Sequence, residues 1–164
     1  MFFIDYFREY YSFSDYNQSA LSIITPDNTN QPYHPSVVYI PQKWNGYAYW
    51  MGETPYPLGK RGSWQGLSPY RERWENPCIH VSHNGIEWIT PPHLTNPIDS
   101  LSIQEISNKD FFSDTHLVFY LDTLECWYRI SKHEHEQTKV NILRKFSTDG
   151  IHWSKREIMV IPIL

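Results

Sequence analysis

The sequence has few of the features that mark disulfide-bonded, membrane-spanning or nucleic-acid-binding proteins. Only two of its 164 residues are cysteines, Cys78 and Cys126, which are too few for a disulfide framework. The net charge is −4, so the chain lacks the basic surface that binds nucleic acid or an anionic membrane. No apolar run approaches the length of a transmembrane helix. We therefore expect a globular protein with no nucleic-acid partner and no membrane span.

Short catalytic and targeting signatures are missing too. The sequence contains no Gly-rich phosphate loop, no Cys-x-x-Cys pair and no Gly-x-Ser-x-Gly nucleophile elbow. The first nine residues include Asp5, Arg8 and Glu9, where a signal peptide has an apolar run. The sequence thus predicts no cofactor. It does not name a compartment, and a cytoplasmic location is the default expectation.

Aromatic residues are abundant by contrast. The chain has 12 Tyr, 8 Phe and 7 Trp, and only 20% of its residues are charged. Aromatic side chains suit pleated, half-buried surfaces, and 12 prolines oppose a helical bundle. Tyr and Trp also stack on the apolar C–H faces of sugar rings while their polar atoms form hydrogen bonds. The composition predicts an all-β protein and suits a carbohydrate partner.

An internal repeat organises the chain. Residues 82–88 and 147–153 share the pattern Ser-x-(Asn/Asp)-Gly-Ile-x-Trp. Asn-Gly and Asp-Gly are strong signals for a type I′ hairpin turn, in which both central residues have positive φ. Such a recurrence indicates a repeated structural unit.

Strand-like segments surround each of these turns in the same order. The first unit has segments at 36–40, 47–51 and 78–81, and a strand beginning near residue 88; the second has segments at 116–120, 126–130, 140–146 and 158–161. A hairpin signal, Trp44-Asn45-Gly46, joins the first two. The pattern predicts two four-stranded antiparallel blades of a partial β-propeller, at about residues 34–98 and 110–164. An eight-stranded β-sandwich is the alternative.

Two further segments lie outside the predicted strands. Residues 1–30 form an N-terminal arm, in which aromatic residues at helical spacing over 2–11 predict a short helix before an irregular linker. The blade domain then covers residues 31–164. Residues 52–74 are inserted between the second and third strands and contain Tyr56 and Trp64, which predicts an ordered aromatic loop at a binding mouth.

The chain resembles five-bladed β-propeller glycosidase-like proteins, similar to glycoside hydrolase families 43 and 32, of which it would form about two blades. The resemblance rests on segments 34–39, 44–51, 54–57, 75–79, 84–85, 95–98, 114–117 and 124–129 and covers roughly residues 31–160. The closing turns are similar to the Asp-box turns of sialidases, which are structural. The resemblance implies inward carboxylates at a funnel mouth, of which two act as acid and as base or nucleophile. His34 stands where that family has an Asp.

The resemblance implies a site where the first strands of the blades begin. The candidate catalytic residues are Glu75 and Asp114. The candidate substrate-binding residues are His34, Asn76, Trp50, Tyr56, Trp64 and His116. Other interpretations stay open: an acid before a strand also caps turns or pairs with an arginine such as Arg71 or Arg73, and Trp50 faces away from Tyr47 and Tyr49 and suits a core.

Three functions follow from this pattern. The first is a carbohydrate-recognition segment that binds a saccharide or glycan at the mouth. The second is a glycoside hydrolase that uses Glu75 and Asp114 and completes its site by oligomerisation. The third is a non-catalytic subunit of a phage or surface assembly. Exposed blade edges predict a homo-oligomer. His133 and His135 alternate with acids in a predicted polar turn, and no metal site is assigned to them.

Overall fold

The computed structural model describes residues 21, 23–26, 30–55, 75–134 and 137–160. The predicted helix at 2–11, most of the predicted linker and residues 56–74 of the predicted inserted loop, with Tyr56 and Trp64, lie outside the described residues. So do Arg71, Arg73 and His135. Residues 52–55 of the predicted inserted loop belong to a strand instead.

The all-β prediction is confirmed. The described part contains one five-residue helix, α1, and seven strands in two antiparallel sheets. Sheet 1 has the order β1-β2-β3 and sheet 2 the order β4-β5-β6-β7. The elements are β1 (Pro32–Trp44), β2 (Tyr47–Pro55), β3 (Cys78–Ser82), α1 (Ile103–Ser107), β4 (Phe111–Tyr120), β5 (Thr123–Glu134), β6 (Gln137–Ser147) and β7 (Glu157–Val160).

Sheet 1 has three strands where four were predicted. The strand expected near residue 88 is reduced to a single bridge between Val81 and Ile89. Farther along the same edge of β3, the side-chain amide of Asn96 accepts a hydrogen bond from the Ile79 N–H (2.9 Å) and donates one to its carbonyl (2.8 Å). A side chain thus satisfies backbone groups that a fourth strand would otherwise pair.

The β1–β2 hairpin has the predicted turn, since Asn45 and Gly46 both have positive φ, 48° and 89°. The two Ser-x-Asx-Gly turns differ from the prediction. Gly85 and Gly150 have positive φ, but Asn84 and Asp149 do not, so the type I′ expectation is wrong there. Longer loops replace the two-residue turns.

Side-chain hydrogen bonds close these two loops in the same way. Ser147 Oγ accepts from the N–H groups of Asp149 and Gly150 (3.3 and 2.8 Å). The Asp149 carboxylate accepts from the next two N–H groups, each at 2.8 Å. Ser82 and Asn84 make the corresponding bonds at 2.9–3.2 Å. The shared pattern encodes an Asx-type turn in which short polar side chains replace backbone partners.

The main core lies between the two sheets. Apolar side chains of β2, β3, β4 and β5 fill it, including Trp50, Ile79, Leu117 and Tyr128. Gly52 faces this interface, and a Cβ at that position would lie 3.0 Å from Leu117. The absent side chain therefore allows β2 to approach β4 closely.

Sheet 1 is covered on its other side as well. Ile23, Met51 and Trp88 form a second cluster there, with Tyr49 packed against it. No helix in the described ranges is long and apolar enough to cross a membrane.

Candidate functional site

Two β-bulges occupy matching places in the first strands of the two sheets. In β1, His34 and Pro35 together oppose one residue of β2. In β4, Asp114 and Thr115 together oppose one residue of β5. A bulge bends its strand and re-aims the side chains on it, and bulges are frequent next to active sites.

Three of the predicted site residues have an unusual backbone conformation. His34, Glu75 and Asp114 have φ values of 48°, 54° and 56°, in the left-handed region that L-residues seldom adopt. Non-glycine residues in such conformations cluster at functional sites, where the surrounding structure holds them.

The bulges bring charged side chains from the two sheets together. Asp114 accepts from His34 Nδ1 at Oδ1 (2.8 Å) and from Arg129 Nε at Oδ2 (2.6 Å). Arg129 Nε also lies 2.5 Å from Ser113 Oγ. The side chains of His34 and Asp114 are each 39% exposed and that of Arg129 is 42% exposed, so a ligand can reach all three.

Glu75 completes this group, which we term the bulge cluster: His34, Glu75, Asp114 and Arg129. The Glu75 N–H donates to the Pro55 carbonyl (2.9 Å), which fixes Glu75 at the end of β2. Partial burial and the nearby Asp114 charge raise the pKa of the Glu75 carboxyl to about 7, while the Arg129 charge opposes this rise. A carboxyl group with that pKa both releases and accepts a proton at neutral pH.

His116 lies two positions beyond Asp114 on β4 and is exposed. Its Nδ1 is 3.3 Å from Ser36 Oγ, and the same hydroxyl oxygen accepts from the Leu117 N–H at 3.0 Å. Ser36 therefore ties β1 to β4 beside the bulge cluster.

The structure thus brings His34, Glu75 and Asp114 together, with His116 along the same strand. Asn76 follows Glu75 directly but is only 1% exposed. Trp50 is also 1% exposed and packs in the core between the sheets, so the structure does not bring it to the site.

Sequence reasoning missed Arg129. The arginines considered as partners for the acids were those close in the sequence, whereas the partner that the structure shows comes from β5. Arg129 lies opposite Ser113, a register set by the hairpin turn at Leu121 and Asp122, both with positive φ, and by the bulge at Asp114 and Thr115. Extending the pairing back from that turn would have placed Arg129 beside the start of β4.

Within the described ranges, no group of three or more His, Cys, Asp and Glu side chains is arranged to hold a metal ion. His133 lies in β5, not in a turn as predicted, and its N–H donates to Asp110 Oδ1 (2.9 Å). The bulge cluster offers the Glu75 carboxyl, which exchanges a proton near neutral pH, and the Asp114 carboxylate. The His34 imidazole and the partly exposed Arg129 guanidinium hold that carboxylate. These groups suit hydroxyl and amide groups of a ligand.

Comparisons with known proteins identify a relative but no family. No protein-family model matches the chain. An A-type blood N-acetyl-α-D-galactosamine deacetylase from Flavonifractor plautii is 29% identical over 126 residues, which cover 76% of this chain and 14% of that protein. The chain therefore spans a small part of the curated relative that it matches.

A solved structure shows the same fold. It is an N-acetylgalactosamine deacetylase from F. plautii in complex with blood group B trisaccharide, with a TM-score of 0.62 and 24% identity. The match covers 82% of this chain and 32% of that one.

Proposed function

We propose that this protein binds an N-acetylated amino sugar at the bulge cluster and that Glu75 transfers the proton when the acetamido group is hydrolysed. The observation that carries the proposal is a half-buried carboxyl with a pKa of about 7, placed next to a fixed carboxylate and an exposed arginine. The name of the curated relative, an N-acetyl-α-D-galactosamine deacetylase, supports this choice of substrate class.

The chemistry of deacetylation suits a group like Glu75. Water attacks the acetamido carbonyl while a base accepts its proton; the C–N bond then breaks as the nitrogen takes up that proton. The products are acetate and the amine, which takes up the second proton of the water and is released as an ammonium group. One carboxyl with a pKa near the working pH serves as base and then as acid. Arg129 supplies the positive charge that stabilises a developing oxyanion.

A glycosidase reaction is the second candidate. It needs two carboxyl groups, one to protonate the leaving oxygen and one to attack or to activate water. Glu75 has the raised pKa of an acid. Asp114, however, is held at both oxygens by His34 and Arg129, which opposes its use as a nucleophile. The geometry of the bulge cluster therefore favours deacetylation over glycoside hydrolysis.

The two-blade arrangement over residues 31–164, with the N-terminal arm before it, is part of the same proposal. The matching bulges and the shared Ser-x-Asx-Gly hydrogen bonds support two related units. Within the described ranges, the outer strands β1, β4 and β7 are hydrogen-bonded to a neighbouring strand on one side only, and association of copies along these edges would cover them.

The test is to incubate the purified chain with N-acetylgalactosamine and with blood group A trisaccharide and to measure acetate release. We expect release by the wild type and a loss of at least about 100-fold in Glu75→Gln. Glu87→Gln makes the same change at an exposed carboxylate and should retain full activity.

Other outcomes separate the alternatives. Cleavage of aryl glycosides that depends on both Glu75 and Asp114 would establish a glycosidase instead. Saccharide binding without any turnover would leave only the recognition role. A protein that shows no saccharide binding and no turnover would contradict the proposal and favour a structural subunit.

A further inference from the structure

We infer that a second saccharide subsite lies on the outer face of sheet 2, centred on Trp127, and takes the next sugar ring of the glycan held at the bulge cluster. This inference rests on the proposed function. It centres on Trp127 and Arg144, which the proposed reaction does not use.

The register of sheet 2 places Trp127 beside the bulge cluster. Arg129 and Trp127 are two positions apart on β5, so their side chains lie on the same face of the sheet. They are separated by about 7 Å along the strand, which is comparable to the step between neighbouring rings in a glycan. His116 lies opposite Trp127 and connects it to Asp114 along β4. When one sugar ring of a glycan binds at the cluster, the next ring of that glycan would therefore lie beside the indole.

The indole is held rigidly. Trp127 Nε1 donates to Glu125 Oε2 at 2.8 Å, and the Arg144 guanidinium lies over one face of the indole, 5.8 Å from the ring centroid. Arg144 also forms longer ion pairs with Glu125 Oε1 (3.6 Å) and Glu157 Oε2 (3.7 Å). The face of this ring turned away from Arg144 presents a stacking surface at low entropic cost, and the charged groups around it bind sugar hydroxyls.

The chemistry of this face favours a sugar over another protein sheet. Packing a second copy on it would remove from water the exposed part of the Arg129 side chain (42%) and the smaller exposed parts of Arg144 (25%) and Glu125 (21%), which carries a desolvation penalty. The opposite face of β5 shows what a buried sheet surface looks like in this protein, since Cys126 and Ile130 lie there in the core. A sugar keeps the charged groups hydrogen-bonded.

The test compares the affinity of N-acetylgalactosamine with that of blood group A trisaccharide, by titration calorimetry. In Trp127→Ala, trisaccharide affinity should fall about tenfold while monosaccharide affinity stays unchanged, because only the longer ligand reaches the second ring position. Trp127→Phe should keep most of the difference. Tyr39→Ala, at an exposed tyrosine of the other sheet, is the control.

A measurement on the unmutated chain tests the inference even if Trp127→Ala does not fold. With 5-fluorotryptophan incorporated, and the resonance assigned by its loss in Trp127→Phe, the ¹⁹F signal of residue 127 should shift with trisaccharide and not with monosaccharide. Equal effects on both ligands, no effect on either, or a dimer that Trp127→Ala dissociates would overturn the inference. Failure of the wild type to bind either ligand would overturn the proposed function itself.

Discussion

Glu75 lies between two charges of opposite sign, and its pKa responds to each. Burial raises this pKa most, the Asp114 carboxylate raises it further, and the Arg129 guanidinium lowers it. Asp114→Asn should therefore lower the Glu75 pKa from about 7 towards its usual value, whereas Arg129→Gln should raise it above 7. Asn tolerates the positive φ at position 114, so this variant should fold. Titration of the carboxyl ¹³C resonance by NMR measures both shifts.

Because the two expected shifts of the Glu75 pKa have opposite signs, the two variants together distinguish an effect of charge from a change in structure. A shift in the same direction for both would show that the substitutions act by rearranging the loop before β3 and not through charge. Loss of the titrating resonance in Glu75→Gln provides the assignment.

At the scale of elements, the two Ser-x-Asx-Gly turns offer a matched pair of glycines. A Cβ on Gly150 would lie 2.1 Å from the Trp50 ring, whereas a Cβ on Gly85 would meet Tyr49 at an ordinary 3.6 Å. Both glycines have similar positive φ. Gly85→Ala should therefore cost about 1 kcal/mol of backbone strain, and Gly150→Ala about 3 kcal/mol or more because the buried ring must move. Urea unfolding measures both, and equal losses would contradict the assigned role of Trp50.

The sequence was informative for the elements because their signals are local. Alternating apolar residues marked the strands, and Asn45-Gly46 marked a turn that the structure has. The reduction of the fourth strand of sheet 1 to one bridge was not visible, because a side chain 17 residues away, Asn96, satisfies the β3 edge. The turns at Asn84 and Asp149 also follow side-chain bonds that the dipeptide rule does not include.

The site was only partly predictable for a related reason. His34, Glu75 and Asp114 stood out because each precedes or begins a strand segment, and the structure joins them. Arg129 did not stand out, since its place depends on cross-strand register. Trp50 shares its aromatic chemistry with sugar-binding residues, and only its strand face, turned to the core, shows its structural role.

At the scale of the whole molecule, the two sheets are joined by polar bonds as well as by the core. The Leu117 N–H in β4 donates to Ser36 Oγ in β1 at 3.0 Å, and Leu117 itself is buried. Ser36→Ala would leave that N–H without its acceptor and should reduce the free energy of unfolding by about 1–3 kcal/mol. Ser36→Thr keeps the hydroxyl and should be close to the wild type. Chemical denaturation followed by tryptophan fluorescence checks this, and an unchanged Ser36→Ala would show that the bond contributes nothing.

The division of the bulge cluster between the sheets has a consequence for the nascent chain. His34 and Glu75 leave the ribosome with sheet 1, but Asp114 and Arg129 follow only with β4 and β5. Until then, no second sheet covers Trp50 and its apolar neighbours, and exposed apolar surfaces of this kind make folding intermediates prone to aggregation. The charge cluster can therefore form only after β5 has left the ribosome, so its appearance would mark the docking of sheet 2 on sheet 1.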